Sequence, residues 1–402
     1  MKKLIVNDVG VKLIDESTSE DGFITQIHDY IHAKGFVFEK DLIKNYYISL
    51  KTKPFVILTG ISGTGKTKLA EYFADAVVDN NDEQFRLIPV RPDWTDDKYL
   101  VGYYNPITEK YMSTEFIDFL IKAKLDPDKP YFVCLDEMNL ARVEYYFSKF
   151  LSGMESKDKM IRLHENGDFT LQNNDKNNTL IEFSDYQEKY KKNELSETEL
   201  KGEGLIISSN STLIPTKIEI PTNLYFTGTV NMDETTFQFS PKVLDRANTI
   251  EIIGATEPKD FFDRKDTKED YSDKTVIPEH FRKNIKNEQK YEWPPELKDK
   301  IWKIYNILQK DKDHRYDLHF GHRIVDEIKK YMSNSQGLLD EDTAFDLQIL
   351  QKILPKIKGD EAIKSLLSEL KKEIDPYKYK LSNEKLTIIE QRLTDRMYTS
   401  FF

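Results

Sequence analysis

A glycine-rich octapeptide, GISGTGKT, is the segment whose residue types most directly predict chemistry. Its glycines allow successive backbone N–H groups to turn toward phosphate oxygens, and its lysine would contact the β- and γ-phosphates. An apolar run precedes the octapeptide and helically spaced apolar residues follow it, which is the context that a P-loop requires. A chance glycine-rich turn is the alternative. We predict that a nucleoside triphosphate with Mg²⁺ binds at Gly60, Gly63, Thr64, Gly65, Lys66 and Thr67, with the Thr67 hydroxyl on the metal.

A second apolar run, YFVCLDE, ends in the carboxylates of Asp136 and Glu137. The sequence predicts that Asp136 holds Mg²⁺ through water and that Glu137 orients and polarises the attacking water. General-base assistance of this kind is worth about 10² to 10⁴ in rate. An acidic pair at a strand end is often only a helix cap, but the P-loop upstream favours the catalytic interpretation.

Two further polar residues lie beside later apolar runs. Asn231 ends the run LYFTGTVN with a polar side chain, although asparagine is also an ordinary turn residue. Arg246 precedes the last predicted strand, and an arginine there would project toward the nucleotide of a neighbouring subunit. Such an arginine contributes about 10³ to 10⁵ to turnover. A solvated surface arginine is the alternative for Arg246.

These residues need a parallel sheet to hold them, and the apolar pattern predicts one. Short apolar runs alternate with helical segments, which is typical of an α/β fold with helices on both faces of the sheet. The predicted strands are Pro54–Thr59, Phe85–Val90, Tyr131–Leu135, Leu224–Val230 and Asn248–Ile253. The predicted helices outside this region are Gly22–Lys34, Glu39–Leu50, one that begins after Pro295, His322–Ser333, Asp342–Leu354, Asp360–Lys372 and Asn383–Arg396.

A chain of 402 residues is too long for one ordinary core, so we predict more than one module. We assign residues 1–50 to a short helical lead-in, residues 51–257 to the nucleotide-binding α/β domain and residues 258–402 to a helical C-terminal domain. Residues 156–222 are polar but contain the alternating stretch LIISSNSTLIPTKIEIP, which predicts an insertion with a β-ribbon. The charged stretch 258–293 predicts a domain junction.

The composition narrows the possible partners. With 39% hydrophobic residues and no apolar run near the roughly 20 residues of a membrane span, we expect a soluble, cytoplasmic protein without membrane contact. The net charge of −11 opposes a surface built to neutralise DNA phosphates, so DNA contact would be local or made by a partner. Cys134 is the single cysteine, which excludes an internal disulfide or a cysteine-bound zinc.

From Lys51 to the C-terminus the chain resembles the McrB family of AAA+ motors from modification-dependent restriction systems. The resemblance depends on LKTKPFVILTGISGTGKT, RPDWTDDKYLVGYYNP, DEMNLARVEYYFSKFLSGME, TGTVNMDETTFQFSPKVLDRA, FGHRIVDEI, LDEDTAFDLQILQKILPKIKG and RLTDRMYTSFF. It implies an AAA+ core with a helical lid. It also implies that Asn139 links nucleotide state to the neighbouring subunit and that Arg323 turns toward the phosphates. It implies that Asn231 is the sensor asparagine, whose amide contacts the γ-phosphate and the attacking water. A helix-surface position is the alternative for Arg323.

The resemblance further implies a ring of six copies, a McrC-like nuclease partner and DNA that is reached through the complex. Leu140 stands where the family has an arginine that communicates with the nuclease. GTP and ATP remain equal alternatives, because no residue that reads a purine ring is identified. A second hypothesis is a MoxR-like AAA+ ATPase that remodels a protein partner without DNA. A third is that residues 156–222 read modified DNA themselves.

Overall fold

The computed structural model describes residues 2–7, 10–15, 19–172, 179–232, 237–253, 277–286, 290–310, 316 and 318–402. The chain divides into two compact units: unit 1 contains Met1–Asp79 and Ala247–Phe402, and unit 2 contains Asn80–Arg246. Most of the predicted junction 258–293 lies outside the described residues. Among the helices that are described, none has both the length and the apolar composition needed to cross a membrane.

The strands, in chain order, are β1 (Lys2–Asn7), β2 (Gly10–Asp15), β3 (Phe55–Gly60), β4 (Phe85–Pro89), β5 (Tyr103–Asn105), β6 (Lys110–Met112), β7 (Tyr131–Asp136), β8 (Met160–Arg162), β9 (Thr170–Leu171), β10 (Leu205–Ile207), β11 (Leu213–Pro215), β12 (Lys217–Glu219), β13 (Leu224–Asn231), β14 (Asn248–Glu251), β15 (Lys358–Asp360) and β16 (Tyr398–Ser400).

The α-helices are α1 (Glu20–Ala33), α2 (Lys40–Thr52), α3 (Lys66–Val77), α4 (Asn81–Gln84), α5 (Lys98–Val101), α6 (Glu115–Leu125), α7 (Val143–Tyr146), α8 (Ser148–Glu155), α9 (Thr179–Lys191), α10 (Glu197–Gly202), α11 (Pro241–Leu244), α12 (Ile277–Asn284), α13 (Pro295–Leu308), α14 (His322–Ser335), α15 (Glu341–Gln348), α16 (Lys364–Glu373) and α17 (Lys380–Arg396). Short 3₁₀ turns cover Met138–Leu140, Leu354–Lys356 and Glu361–Ile363, and a π-helical turn covers Ile349–Ile353.

In unit 1, the parallel strands β3 and β14 lie side by side, with Val56 opposite Asn248 and Thr59 opposite Glu251. Every residue of β3 is buried, as expected for a strand that is covered on both faces. Helix α1 packs against α2, α3 and α12. A buried aromatic cluster joins these helices through the rings of Phe23, Tyr47, Phe73 and Phe281.

A buried ion cluster ties the start of β3 to helix α14 within unit 1. Lys53, just before β3, pairs with Glu327 of α14. Lys352, in the π-helical turn, lies 2.6 Å from the other oxygen of Glu327 and donates to the carbonyl oxygen of Ala247 at 2.8 Å. Buried charges are tolerated when they are paired in this way. The cluster therefore holds β3 and β14 to the same helical layer.

In unit 2, three parallel strands lie in the order β13, β7, β4. Leu224 of β13 faces Tyr131 of β7, and the register continues to Gly228 opposite Leu135. The rings of Phe116, Phe147, Phe150 and Phe226 pack into one core that holds α6 and α8 to β13. Antiparallel pairs complete the unit: β5 with β6, β8 with β12, and β10 with β11.

The prediction of a mixed α/β fold with parallel strands and helices is confirmed. All five predicted strands are present, with bounds shifted by one or two residues. The predicted helix Asp360–Lys372 is wrong at its start, because β15 pairs with the distant β16 and a 3₁₀ turn follows before α16 begins at Lys364. The hairpin of β1 and β2 and the helices α9 and α10 were not predicted. The roles of residues 156–222 as an insertion and of the C-terminal helices as a lid stay predictions.

Candidate functional site

The glycine-rich loop connects the buried strand β3 to helix α3 within unit 1. At its first position, Gly60 has φ +150°, and a Cβ built there would lie 2.5 Å from the carbonyl oxygen of Ile252. Both the backbone angle and the close approach exclude any side chain at this point. The loop therefore needs glycine at Gly60 in order to leave the strand.

The curl of the loop is closed by short-range bonds to its own carbonyl groups. Lys66 is only 5% exposed, and its Nζ donates to the carbonyl oxygens of Gly60 at 3.0 Å and Ile61 at 2.7 Å. Thr64 Oγ1 donates to the same Ile61 oxygen at 2.9 Å. The ammonium group thus lies inside the loop and not in solvent.

Helix α3 begins at this loop, with Gly65 as its N-cap in the left-handed region at φ +86° and without a side-chain cap. The first N–H groups of a helix have no intrahelical partners and carry partial positive charge, which attracts phosphate. Thr67 lies half-buried in the first turn of α3. Backbone N–H groups, an ammonium and a hydroxyl therefore lie at one helix end, which is an arrangement suited to an anion.

The acid pair lies in unit 2, where β7 ends. Thr229 of the neighbouring strand β13 donates from Oγ1 to Asp136 Oδ1 at 2.7 Å and accepts from the backbone N–H of Glu137 at 3.0 Å. Asn231 Nδ2 donates to Glu137 Oε1 at 3.3 Å. The structure therefore brings Asp136, Glu137 and Asn231 together at the carboxyl ends of two parallel strands.

Thr229 is the residue of this cluster that the sequence analysis missed. The sequence does show that Thr229 and Asn231 are two positions apart, so that both lie on one face of β13. The sequence does not show the register of β13 and β7, which places Thr229 beside the end of β7. A buried hydroxyl between two strand ends is visible only once that pairing is known.

Glu137 has an uncommon backbone conformation, with φ +51° and ψ +48°. A non-glycine residue in the left-handed region costs on the order of 1–3 kcal/mol and persists where its surroundings hold it there. Asn139 follows in the 3₁₀ turn Met138–Leu140 and is 4% exposed, and its carbonyl oxygen accepts from the N–H of Phe237 at 3.0 Å. The turn after β7 is therefore tightly held, and its shape aims the Glu137 side chain toward Asn231.

Arg246 lies elsewhere in unit 2, directly after α11. It is 7% exposed, and its Nε donates to the carbonyl oxygen of Leu151 at 2.7 Å. Its two other nitrogens bind the carbonyl oxygen of Lys242 and the carboxylate of Glu155. The guanidinium is thus held inside its own unit, so the predicted reach toward a neighbouring subunit would require these bonds to be exchanged.

Arg323 is exposed in the first turn of α14, in unit 1. Its charge is one of those that act on Lys53, which places it near the buried ion cluster at the start of β3. The predicted contact between Arg323 and phosphates stays a prediction. Its exposure is equally consistent with the alternative of a helix-surface arginine.

Comparisons with known proteins do not assign a function to this chain. A family model described as a domain of unknown function, DUF8727, matches residues 269–398, which is less than half of the chain. No curated protein matches. A crystal structure of a "putative ATPase" from Cytophaga hutchinsonii is 15% identical, with 84% of this chain and 87% of that chain covered and a TM-score of 0.46. A likeness of this size shows neither the family nor the function of this chain.

Proposed function

We propose that this chain is a Mg²⁺-dependent nucleoside triphosphatase of the AAA+ type. The observation that carries the proposal is the position of Lys66, whose ammonium lies inside the glycine loop at 3.0 Å from the Gly60 oxygen and 2.7 Å from the Ile61 oxygen. A buried lysine between a helix N-terminus and a curl of carbonyl groups is suited to exchange those oxygens for phosphate oxygens.

The residues fit a triphosphate and its metal. Hydroxyl and carboxylate oxygens, such as those of Thr67 and Asp136, are the ligands that Mg²⁺ prefers. When bound, Mg²⁺ would neutralise phosphate charge as the bond to the terminal phosphorus breaks. The protein's part is to bind the phosphates with the loop and Lys66 and to keep the acid pair oriented.

Glu137 is the proposed general base and Asn231 the group that positions it. A carboxylate that accepts from an amide N–H at 3.3 Å has a defined direction, and a carboxylate held in this way is suited to polarise a water molecule. Asn231 is only 9% exposed, so water competes little for its amide, and the hydrogen bond holds the Glu137 carboxylate in this direction. The pair supports hydrolysis more than simple nucleotide binding, which would need no general base.

We extend the proposal to an oligomeric motor of a bacterial restriction or defence complex, as the resemblance to the McrB family implies. A six-membered ring, a McrC-like nuclease and DNA contact through the complex belong to this extension. It is supported by the ordered motifs of the sequence alone. GTP and ATP are both retained as substrates.

The test measures binding of fluorescent ATP and GTP analogues, and release of phosphate from ATP and GTP, with Mg²⁺ and with EDTA. Lys66→Ala should lose both binding and turnover, since one preorganised charge in such a site is worth about 10² to 10³ in rate. Glu137→Gln keeps the acceptor for Asn231 but removes the base, so binding should persist while turnover falls by about 10² to 10⁴.

Lys68→Ala is the matched control, because Lys68 lies on the same helix and is 43% exposed beside Glu71. It should bind and hydrolyse nucleotide as the parent does. Equal turnover of Lys66→Ala and the parent would overturn the proposal. Loss of binding in Glu137→Gln would overturn the division of roles between the two residues.

A further inference from the structure

The hydroxyl group of Thr229 connects both carboxylate-bearing residues at the end of β7. A threonine hydroxyl has one proton to donate and lone pairs to accept. The N–H of Glu137 can only donate, so it must use a lone pair of Thr229 Oγ1, at 3.0 Å. The single proton of Thr229 therefore goes to Asp136 Oδ1, at 2.7 Å, and both bond directions are fixed.

This connection follows from strand register. The parallel pairing of β13 with β7 runs from Leu224 opposite Tyr131 to Gly228 opposite Leu135. One step further along the same register, Thr229 comes beside Asp136, and residues at equal register in parallel strands project to the same face. Thr229 is 2% exposed, so solvent does not compete for its hydroxyl.

The two bonds of Thr229 restrain different groups. The bond to Asp136 selects one orientation of that carboxylate. The bond to the backbone N–H of Glu137 holds this residue at φ +51°, a conformation that a non-glycine residue rarely adopts unaided. The same turn directs the Glu137 side chain to Asn231, with Oε1 at 3.3 Å from Nδ2.

We propose that Thr229 is a positioning residue, whose hydroxyl orients the Asp136 carboxylate and fixes the backbone of Glu137 for hydrolysis. The role rests on the proposed nucleotide hydrolysis and adds a specific requirement to it. Thr229 acts through its two neighbours and touches no reacting atom. Its loss should therefore change the rate and the response to Mg²⁺ and leave nucleotide affinity nearly unchanged.

Thr229→Val, which keeps the branched shape and removes the hydroxyl, is the informative variant. Groups that orient a metal-binding or catalytic residue typically contribute about 10- to 100-fold to metal affinity or activity. We expect kcat to fall within that range, the Mg²⁺ concentration for half-maximal turnover to rise, and KM for nucleotide to stay within about threefold. Thr229→Ser retains the hydroxyl and should recover most of the activity.

Thr227→Val is the matched control, since Thr227 lies on the same face of β13 and is also 2% exposed. It should keep parental kcat and Mg²⁺ response, and thermal unfolding of each variant checks that the fold is intact. Should Thr229→Val fail to fold, Thr229→Ala against Thr227→Ala gives the same comparison.

The outcomes separate this role from the proposed function. Turnover of the parent no higher than that of Lys66→Ala would overturn the proposed hydrolysis, and this role with it. A parent that hydrolyses nucleotide, together with a Thr229→Val protein of equal kcat and Mg²⁺ response, would overturn the role of Thr229 alone. Thr229→Ser as impaired as Thr229→Val would do the same, because the hydroxyl would then not be the required group.

Discussion

The glycine loop of unit 1 and the polar cluster of unit 2 are built in opposite ways. Side-chain bonds within the loop join residues three to six positions apart, from Thr64 to Ile61 and from Lys66 to Ile61 and Gly60. In unit 2, Asp136, Glu137 and Arg246 make bonds to partners 91 to 95 positions away, and only the bond from Arg246 to Lys242, among those described here for these residues, is short in sequence. The side-chain bonds of the loop need only a short peptide, whereas most of those in unit 2 form only after strands and helices have paired.

Substitutions in the two regions should therefore have different effects. A change in the loop should alter phosphate binding directly, because the loop residues depend mainly on one another. A change in unit 2 should spread to partners on other elements, since each polar group there completes a bond that begins far away in the chain. Double-mutant behaviour in unit 2 is therefore expected to be non-additive.

Arg246 gives the largest expected effect, because its role could lie outside unit 2 altogether. If it acts on a neighbouring subunit, Arg246→Ala should lower turnover by about 10³-fold or more while nucleotide affinity stays nearly intact. In that case Glu155→Gln, which weakens the internal partner of Arg246, should keep turnover at the parental level or raise it. Phosphate release and nucleotide titration measure the two quantities.

The alternative is that Arg246 only stabilises unit 2. If the internal bonds of Arg246 are its whole role, Arg246→Ala and Glu155→Gln should both lower the free energy of unfolding, and turnover should fall in proportion to the folded fraction. Urea unfolding of both variants distinguishes the cases. A matched loss of stability and activity would contradict the arginine finger and the requirement for a ring that depends on it.

Gly60 gives an intermediate effect and is the point at which the loop depends on a residue that is distant in sequence. Its Cβ would meet the carbonyl oxygen of Ile252 at 2.5 Å, whereas a Cβ on Gly63, at φ +81°, would meet nothing within 4 Å. Gly60→Ala should therefore lower the free energy of unfolding by about 1–3 kcal/mol more than Gly63→Ala does. Urea unfolding should rank Gly60→Ala well below Gly63→Ala. Equal losses would show that backbone angle matters here and the contact with Ile252 does not.

Lys53 has the smallest expected effect on turnover and acts on stability, as a dependence of the free energy of unfolding on pH. Burial, followed by the charge of Lys352, lowers the pKa of Lys53 from 10.5 to about 8, although Glu327 acts in the opposite direction. Between these two pKa values the unfolded chain binds more protons than the folded chain, so Lys53 makes the free energy of unfolding rise with pH across this window. Below a pH of about 8, Lys53 is charged in the folded chain, and the full cost of burying that charge lowers the free energy of unfolding.

Lys53→Met should remove this rise, which urea unfolding of parent and variant across the window would measure. Lys68→Met is the control, because a hydrogen bond with Glu71 raises the pKa of Lys68 and cannot produce the same slope. Parallel stability curves for the parent and Lys53→Met would contradict the prediction. The result would also test whether a distant ion pair, from Lys53 to Glu327, supports the strand that carries the loop.

The sequence predicted the parallel strands well because each is a short apolar run bounded by turn residues, and burial of such a run does not depend on which strand becomes its neighbour. It predicted α13 from apolar periodicity, and it also predicted α17, with a start at Asn383 where the helix begins at Lys380. It missed the β1–β2 hairpin and began the α16 helix too early, because Asp360 follows a strand whose partner, β16, lies near the chain end.

Several properties of this protein follow from its sequence alone: the glycine loop after an apolar strand, the lysine and threonine at a helix start, and the acid pair at the end of a second strand. These follow from neighbours along the chain, whose geometry local backbone preferences dictate. The tertiary structure alone decided that Thr229 lies between Asp136 and Glu137 and that Arg246 is bound to Glu155. The physical reason is register: which hydroxyl meets which carboxylate depends on how strands far apart in sequence align.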